Sequence, residues 1–175
     1  MAQASAHVGL PLVLKTRRFG YDGKGQVVAT TVTELAQAFT ALGAAPLIAE
    51  EHIGFDREVS LVAVRSISGE TCFYPLFENV HHAGILRFSR PIDDVDLQRA
   101  AESFAKRALE RMKYVGVFTM EFFVRGRELL ANEMAPRVHN SGHLTIEGSE
   151  TSQFENHVRA ITGLPLGSTA HRGAA

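Results

Sequence analysis

The run VGVFTMEFFV (115–124), the turn Arg125-Gly126-Arg127 and the run ELLANEM (128–134) limit the fold more than any other part of the chain. Both runs favour extended backbone, and together they read as a hairpin. Leu12-Val13-Leu14, ending at Lys15, and Val27 to Thr30 flank the glycine-rich TRRFGYDGKGQ and read as a second hairpin with a long, mobile tip. Pro46 to Glu50 and Glu58 to Ser66 read as further strands. Phe73-Tyr74-Pro75 and Gly84 to Arg87 read as shorter strands around the polar segment 78–82. Three helices are expected. Thr33 caps one through Ala41, with Leu35, Ala38, Phe39 and Leu42 on one face and Gly43 as its stop. A longer one runs from about Asp94 to Lys113, with Leu97, Ala100, Ala101, Phe104, Ala108, Leu109 and Met112 as its apolar stripe. A third starts at Ser152, where Ser152 and Glu155 have capping-box spacing, turns Phe154, Val158 and Ile161 inward, and stops at Gly163. Hairpins outnumber strand–helix–strand units, so the expected class is α+β with largely antiparallel sheets.

Charge and cysteine content exclude several functions. With 18 basic and 19 acidic residues, the chain has no broad basic field for nucleic acid or an anionic membrane. No apolar run is long enough to span a bilayer. The first residues lack a basic start and a clear cleavage site, so no signal peptide is read. The single cysteine, Cys72, allows no intrachain disulfide and fits a reducing compartment. A cytoplasmic protein is the expectation.

Five groups of residues carry chemistry. Lys15 and the loop Gly20-Tyr21-Asp22-Gly23-Lys24-Gly25-Gln26, with Arg17 and Arg18, combine positive charge with backbone freedom and suit a polyphosphate. The alternative is a surface hairpin with solvated charges. Glu121 and Glu133 lie in otherwise apolar or small strands of the hairpin, where two carboxylates repel unless a cation lies between them. Magnesium is the natural candidate. A solvent-facing Glu121, or one paired with Arg125 or Arg127, is the alternative. NEMAPRVHNSGH (132–143) gathers Arg137, which suits bidentate binding of a carboxylate, bicarbonate or phosphate, with the hydrogen-bonding groups of His139, Asn140, Ser141 and His143. Glu50-Glu51-His52-Ile53, with Glu58 beyond, suits an adenine edge and ribose hydroxyls, although acids at a strand end usually face water. His81-His82, in Asn79-Val80-His81-His82, is more often structural. Read together, the groups divide the work of making an acyl phosphate from ATP, which is mostly positioning and charge neutralisation.

The segments KTRRFGYDGKGQ, EEHIGFDREVSLVAVR, YPLFENVHHAGIL, YVGVFTMEFFV, NEMAPRVHNSGH and SQFENHVRAITGLPLG resemble, in order, those of the 5-(carboxyamino)imidazole ribonucleotide synthase family of ATP-grasp enzymes. The match covers roughly residues 12–167, and NEMAPRVHNSGH and SQFENHVRAI are specific to this branch. The resemblance implies an ATP-grasp lid subdomain over 1–50 and a larger antiparallel core over 51–167, while the composition of 168–175 predicts a disordered tail. It implies use of ATP, Mg2+ and bicarbonate to carboxylate 5-aminoimidazole ribonucleotide in purine biosynthesis. Lys15 and Gly20 to Gln26 are then expected on ATP phosphates. Glu50, Glu51, His52 and Ile53 fall on adenine, Glu58 on ribose, and His81 and Asn132 on the nucleotide. Glu121 and Glu133 bind metal, and Arg137 holds bicarbonate or carboxyphosphate. Tyr21, Asp22, His139, Asn140 and Ser141 face the imidazole ribonucleotide. Phe19 stands where the family usually has glycine, and Leu144 where it usually has tryptophan. Family members are longer at both ends, so the chain reads as a piece, with a homodimer or a complementing half as the expected partner. A nucleotide-binding fragment without turnover, or a carboxylase with another acceptor, are the alternatives.

Overall fold

The computed structural model describes residues 2–20 and 24–173. They form two compact units, one of Met1–Gly54 with His82–Ile85 and one of Phe55–His81 with Leu86–Ala175.

The first unit contains α1 (Ala2–Val8), β1 (Leu12–Thr16), β2 (Gln26–Ala29), α2 (Val32–Ala41) and β3 (Leu47–Glu51). β1 is the middle strand, antiparallel to both neighbours, with Lys15 opposite Gln26 on one side and Ile48 on the other. Alternation sends Leu12 and Leu14 into a small core with Ala29, Leu35 and Ala38. α2 starts two residues earlier than its sequence suggests. Thr31 is the cap, accepting from Glu34 N–H, while the Glu34 carboxylate reaches back to Thr30 N–H at 2.8 Å. The β1–β2 connection needs a glycine at position 25, where φ is +77° and a Cβ would lie 2.6 Å from Thr16 Oγ1.

The second unit is built on a sheet of β4 (Arg57–Arg65), β5 (Thr71–Phe73), β6 (Phe77–His82), β7 (Ile85–Pro91), β8 (Gly116–Arg125) and β9 (Glu128–Ala135). The order is β7-β6-β4-β8-β9, with β5 also beside β4. β4 is antiparallel to β5, β6 and β8, and β8 is antiparallel to β9. α3 (Val95–Met112) covers one face. It sets Leu97, Ala101, Ala105 and Leu109 against Val59 and Leu61 of β4 and Phe118, Met120, Phe122 and Val124 of β8. Each large side chain buried here contributes about 1.5–3 kcal/mol. The alanines bring the helix close, and Ala105 lies in the contact while Met112 is 44% exposed, a rotation of the expected stripe. Asp94 caps the helix at Leu97 N–H, and Lys113 closes it in the left-handed conformation.

The opposite face changes character along its length. At one end Val62, Val64, Phe77, Val117, Tyr74 and Ala160 form a second core. Toward the other end the same period-two alternation presents Glu58, Ser60, Asn79, His81, Thr119 and Glu121. The polar segment 78–82 is therefore a strand, not the connection that its composition suggests. Its inward positions, such as Asn79, are polar because they serve this face.

α4 (Thr145–Gly148) and α5 (Gln153–Thr162) follow a 3-10 turn at Asn140–Gly142. Ser152 caps α5 and Gly163 ends it at φ +77°, as the spacing implies. The buried face differs from expectation. Gln153, Asn156 and Ala160 point inward, Phe154 is half-buried, and Val158 and Ile161 are exposed. Nor is the segment after Gly167 loose. Thr151 N–H donates to Ser168 C=O at 3.0 Å, Glu150 N–H to Ala170 C=O at 2.9 Å, and Thr169 Oγ1 to Phe73 C=O at 2.7 Å.

Candidate functional site

The β8–β9 hairpin sets Glu121 directly opposite Glu133. Its pairing shifts beside them, because Phe122 faces Ala131 and Asn132 is the extra residue of a bulge. Bulges re-aim side chains, and this one lies at the carboxylate pair. Like charges directly opposite destabilise a sheet, so the arrangement favours a cation. Glu121 is half-buried and Glu133 exposed, and one ligand atom from each lies within 4.8 Å of the other and of a His139 ring nitrogen. The carboxylates supply hard oxygen donors, which fit Mg2+. The imidazole is a poorer match to that ion.

His139 is buried by the loop after β9 and held by α5. Gln153 clamps its peptide unit, accepting from His139 N–H at 3.0 Å and donating Nε2–H to its C=O at 2.6 Å. Gln153 N–H in turn donates to Thr145 Oγ1, at 3.0 Å. These backbone demands explain the polar inner face of α5. On the ring, Nε2 comes within 3.1 Å of Glu121 Oε1, and Nδ1 lies 2.9 Å from Ser141 Oγ. Ser141 Oγ accepts from Ser60 Oγ at 2.8 Å, and Ser60 Oγ accepts from Asn79 Nδ2 at 2.9 Å.

A second acid lies on the same sheet face. Glu58 Oε2 is 2.5 Å from His81 Nδ1. The Glu58 hydrogen bond raises the His81 pKa; burial opposes this, and the charges of Glu58, Glu121 and Glu133 reinforce it. His81 thus senses all three carboxylates. Arg137 is exposed, donates to its neighbour's C=O at 2.9 Å, and has no acidic partner among the described residues. Tyr114 Oη holds this loop by donating to Pro136 C=O at 2.8 Å.

Glu58, His81, Glu121, Glu133, His139 and Ser141 therefore share one region of the second unit. Asn132 is half-buried at the bulge, and Asn140 is exposed. His139 and Ser141 were expected to face a substrate, but both are buried with their side-chain polar atoms engaged within the protein. In the first unit Lys15 Nζ is 2.6 Å from Glu50 Oε2, so the lysine expected on phosphate is already paired. Glu51 and His52 are exposed and Ile53 is half-buried. Gly20, Lys24 and Gln26 are exposed beside Gly25, while Tyr21, Asp22 and Gly23 lie outside the described residues. Ser60 and Gln153 escaped the sequence reading, and Asn79 entered it only as part of the segment around His81-His82. For Ser60 the signal was the one that exposed Glu121, a polar residue inside an apolar strand.

Paired acids on an antiparallel hairpin, beside an exposed arginine loop, in an α+β chain of two units, define the class. The chain belongs to the ATP-grasp domain family, whose model matches residues 1–154. Among individual proteins, it is 56% identical over 170 residues to the N5-carboxyaminoimidazole ribonucleotide synthase of Pseudomonas aeruginosa, covering 97% of this chain and 47% of that one. The crystal structure of N5-carboxyaminoimidazole ribonucleotide synthetase from Thermus thermophilus superposes with TM-score 0.91 at 57% identity, covering 98% of this chain and 47% of that one. The synthase from Aspergillus clavatus, solved with ADP and 5-aminoimidazole ribonucleotide, gives TM-score 0.85 at 31% identity, covering 96% and 44%. The chain spans about half the length of the curated relatives it matches.

Proposed function

We propose that the chain supplies the ATP-grasp part of an N5-carboxyaminoimidazole ribonucleotide synthase. In this reading a bicarbonate oxygen attacks the γ-phosphorus of ATP, giving carboxyphosphate and releasing ADP. The amino group of 5-aminoimidazole ribonucleotide then attacks the carboxyl carbon, inorganic phosphate leaves, and the amine gives up a proton. The observation that carries the reading is the facing pair Glu121 and Glu133 with Arg137 just beyond the second strand, an arginine with no acidic partner among the described residues.

Glu121 and Glu133 would hold Mg2+, which when bound neutralises charge on phosphate oxygens. Arg137 offers bicarbonate a planar pair of N–H donors, and its charge opposes the build-up of negative charge as carboxyphosphate forms. Glu58, kept in place by His81, is assigned to ribose hydroxyls. Lys15 and the loop 20–26 are assigned to ATP phosphates, an assignment that requires Lys15 to leave or share Glu50. That pair is partly solvated, with the side chains 26% and 41% exposed, which limits the penalty of its loss. Glu50 to Ile53 are assigned to adenine. The test is ADP release with and without bicarbonate in the wild type and in Arg137→Ala. Loss of the bicarbonate dependence in the variant supports the assignment, and an unchanged dependence overturns it.

A further inference from the structure

We infer that Tyr114 is a positioning residue for Arg137, its hydroxyl holding the peptide unit from which the guanidinium is presented. The hydrogen bonds stand on the structure alone; the task of Arg137, holding bicarbonate, is taken from the proposed function.

The loop after β9 needs an anchor where it carries Arg137. Ala135 is the last residue paired to the sheet, opposite Thr119. Further on, Val138 is half-buried against the second core, and the His139 peptide lies between the two Gln153 bonds. Pro136 and Arg137 fall between these fixed points, and both are exposed. One peptide unit joins them, and both of its polar groups are bonded. Arg137 N–H donates to Ala135 C=O at 2.9 Å, and Pro136 C=O accepts from Tyr114 Oη at 2.8 Å. The first bond joins residues two apart and moves with the loop. The second ties the loop to the segment before β8.

Tyr114 suits this work because it is itself fixed. Its N–H donates to Leu109 C=O at 3.2 Å, its C=O accepts from Arg65 Nη1 at 3.1 Å, and its ring lies against Phe118 with centroids 6.1 Å apart. Gly116 leaves the hydroxyl room. Its φ is +118°, and a Cβ there would lie 3.3 Å from Tyr114 Oη and 2.9 Å from the His157 ring. Burial raises the Tyr114 pKa, so the hydroxyl keeps its proton at neutral pH. A phenylalanine would fill the same space against Phe118. What the tyrosine adds is the oxygen, and its bond goes to the residue before Arg137. Two-pronged binding of a small planar anion depends on how the guanidinium is oriented. A group that fixes this orientation sets affinity without touching the ligand.

Tyr114→Phe removes that oxygen and keeps the ring. Backbone amide relaxation by NMR, without ligands, should show the Arg137 order parameter falling from the rigid range of about 0.85 toward the flexible range below about 0.6, with Phe118 and His139 unchanged. An unchanged Arg137 overturns the inference. So does loosening that extends to Phe118, which would mark a general loss of packing. The second readout is ADP release as a function of bicarbonate and of ATP. One hydrogen bond is usually worth about three- to tenfold in an equilibrium constant, so half-saturating bicarbonate should rise by that factor while half-saturating ATP stays within about twofold. Equal rises for both, or no rise for bicarbonate, overturn the positioning role. Wild-type ADP release that ignores bicarbonate would refute the proposed function, and the bicarbonate role of Tyr114 with it. Loosening confined to Arg137 in Tyr114→Phe would still establish the hold on the loop.

Discussion

Gly142→Ala separates intrinsic backbone preference from tertiary packing. The residue lies in the 3-10 turn, is buried, and does not have positive φ. Intrinsic preference therefore predicts stabilisation, by about 0.4–1 kcal/mol from a stiffer unfolded chain. Packing predicts the opposite. A Cβ at 142 would lie 2.7 Å from Cδ and Oε1 of Gln153 and 2.8 Å from its Nε2. Gln153 is a flexible side chain, so moving it away costs little in itself. Its two hydrogen bonds to the His139 peptide, at 3.0 and 2.6 Å, would be lost. Each buried group left unpaired costs about 1–3 kcal/mol, so the net loss should be about 3 kcal/mol. Urea unfolding followed by circular dichroism should show a lower midpoint at unchanged slope. In a Gln153→Ala background the same substitution should cost less than about 0.5 kcal/mol, because the clash and both hydrogen bonds are already gone. A stabilised Gly142→Ala, or additive losses in the double variant, would refute the clamp.

Protonation of His81 makes a further prediction. Its pKa is raised in the folded state, chiefly by the Glu58 hydrogen bond. A raised folded value stabilises most below the unfolded value of about 6.5 and is lost as pH rises through the folded value. The stability difference between wild type and His81→Asn should therefore shrink as pH is raised through that window, and a difference that grows with pH would contradict the pairing. Cys72 should be inert in the native state. Burial, and secondarily the charge of Glu70, push its thiol up to about 11. At pH 8 the thiolate is then on the order of one in a thousand, so disulfide-exchange labelling should be far slower than in urea. Equal rates would refute this.

Most strands and the acid pair were legible because they leave local marks, whereas β6 was hidden by its polar composition. Hairpin alternation locates Glu121 and Glu133, and only the register waited for the structure, since a bulge at Asn132 is set by the geometry of both strands together. Helix ends were legible at Ser152 and Gly163, and to within one residue at Asp93 or Asp94, where capping is a local event. The inward face of α5 was not. Hydrophobic periodicity selects Phe154, Val158 and Ile161, yet Gln153 and Asn156 are buried to satisfy backbone groups of residues distant in sequence: Gln153 at His139, Asn156 at Gly167. The segment after Gly167 misled for the same reason. Its composition is that of a tail, while its backbone hydrogen bonds to Glu150 and Thr151 hold it. His139 and Ser141 are buried and hydrogen-bonded within the fold, and polar density in a loop does not reveal which side chains the fold engages in this way.

The central claim is that Glu121 and Glu133 make one cation-dependent nucleotide site. Its most direct test is binding of a fluorescent ATP analogue to the purified chain, with and without Mg2+, repeated with Glu133→Ala. Magnesium-dependent binding in the wild type that disappears in the variant is expected. Binding that ignores Mg2+, or that survives Glu133→Ala unchanged, would contradict the claim.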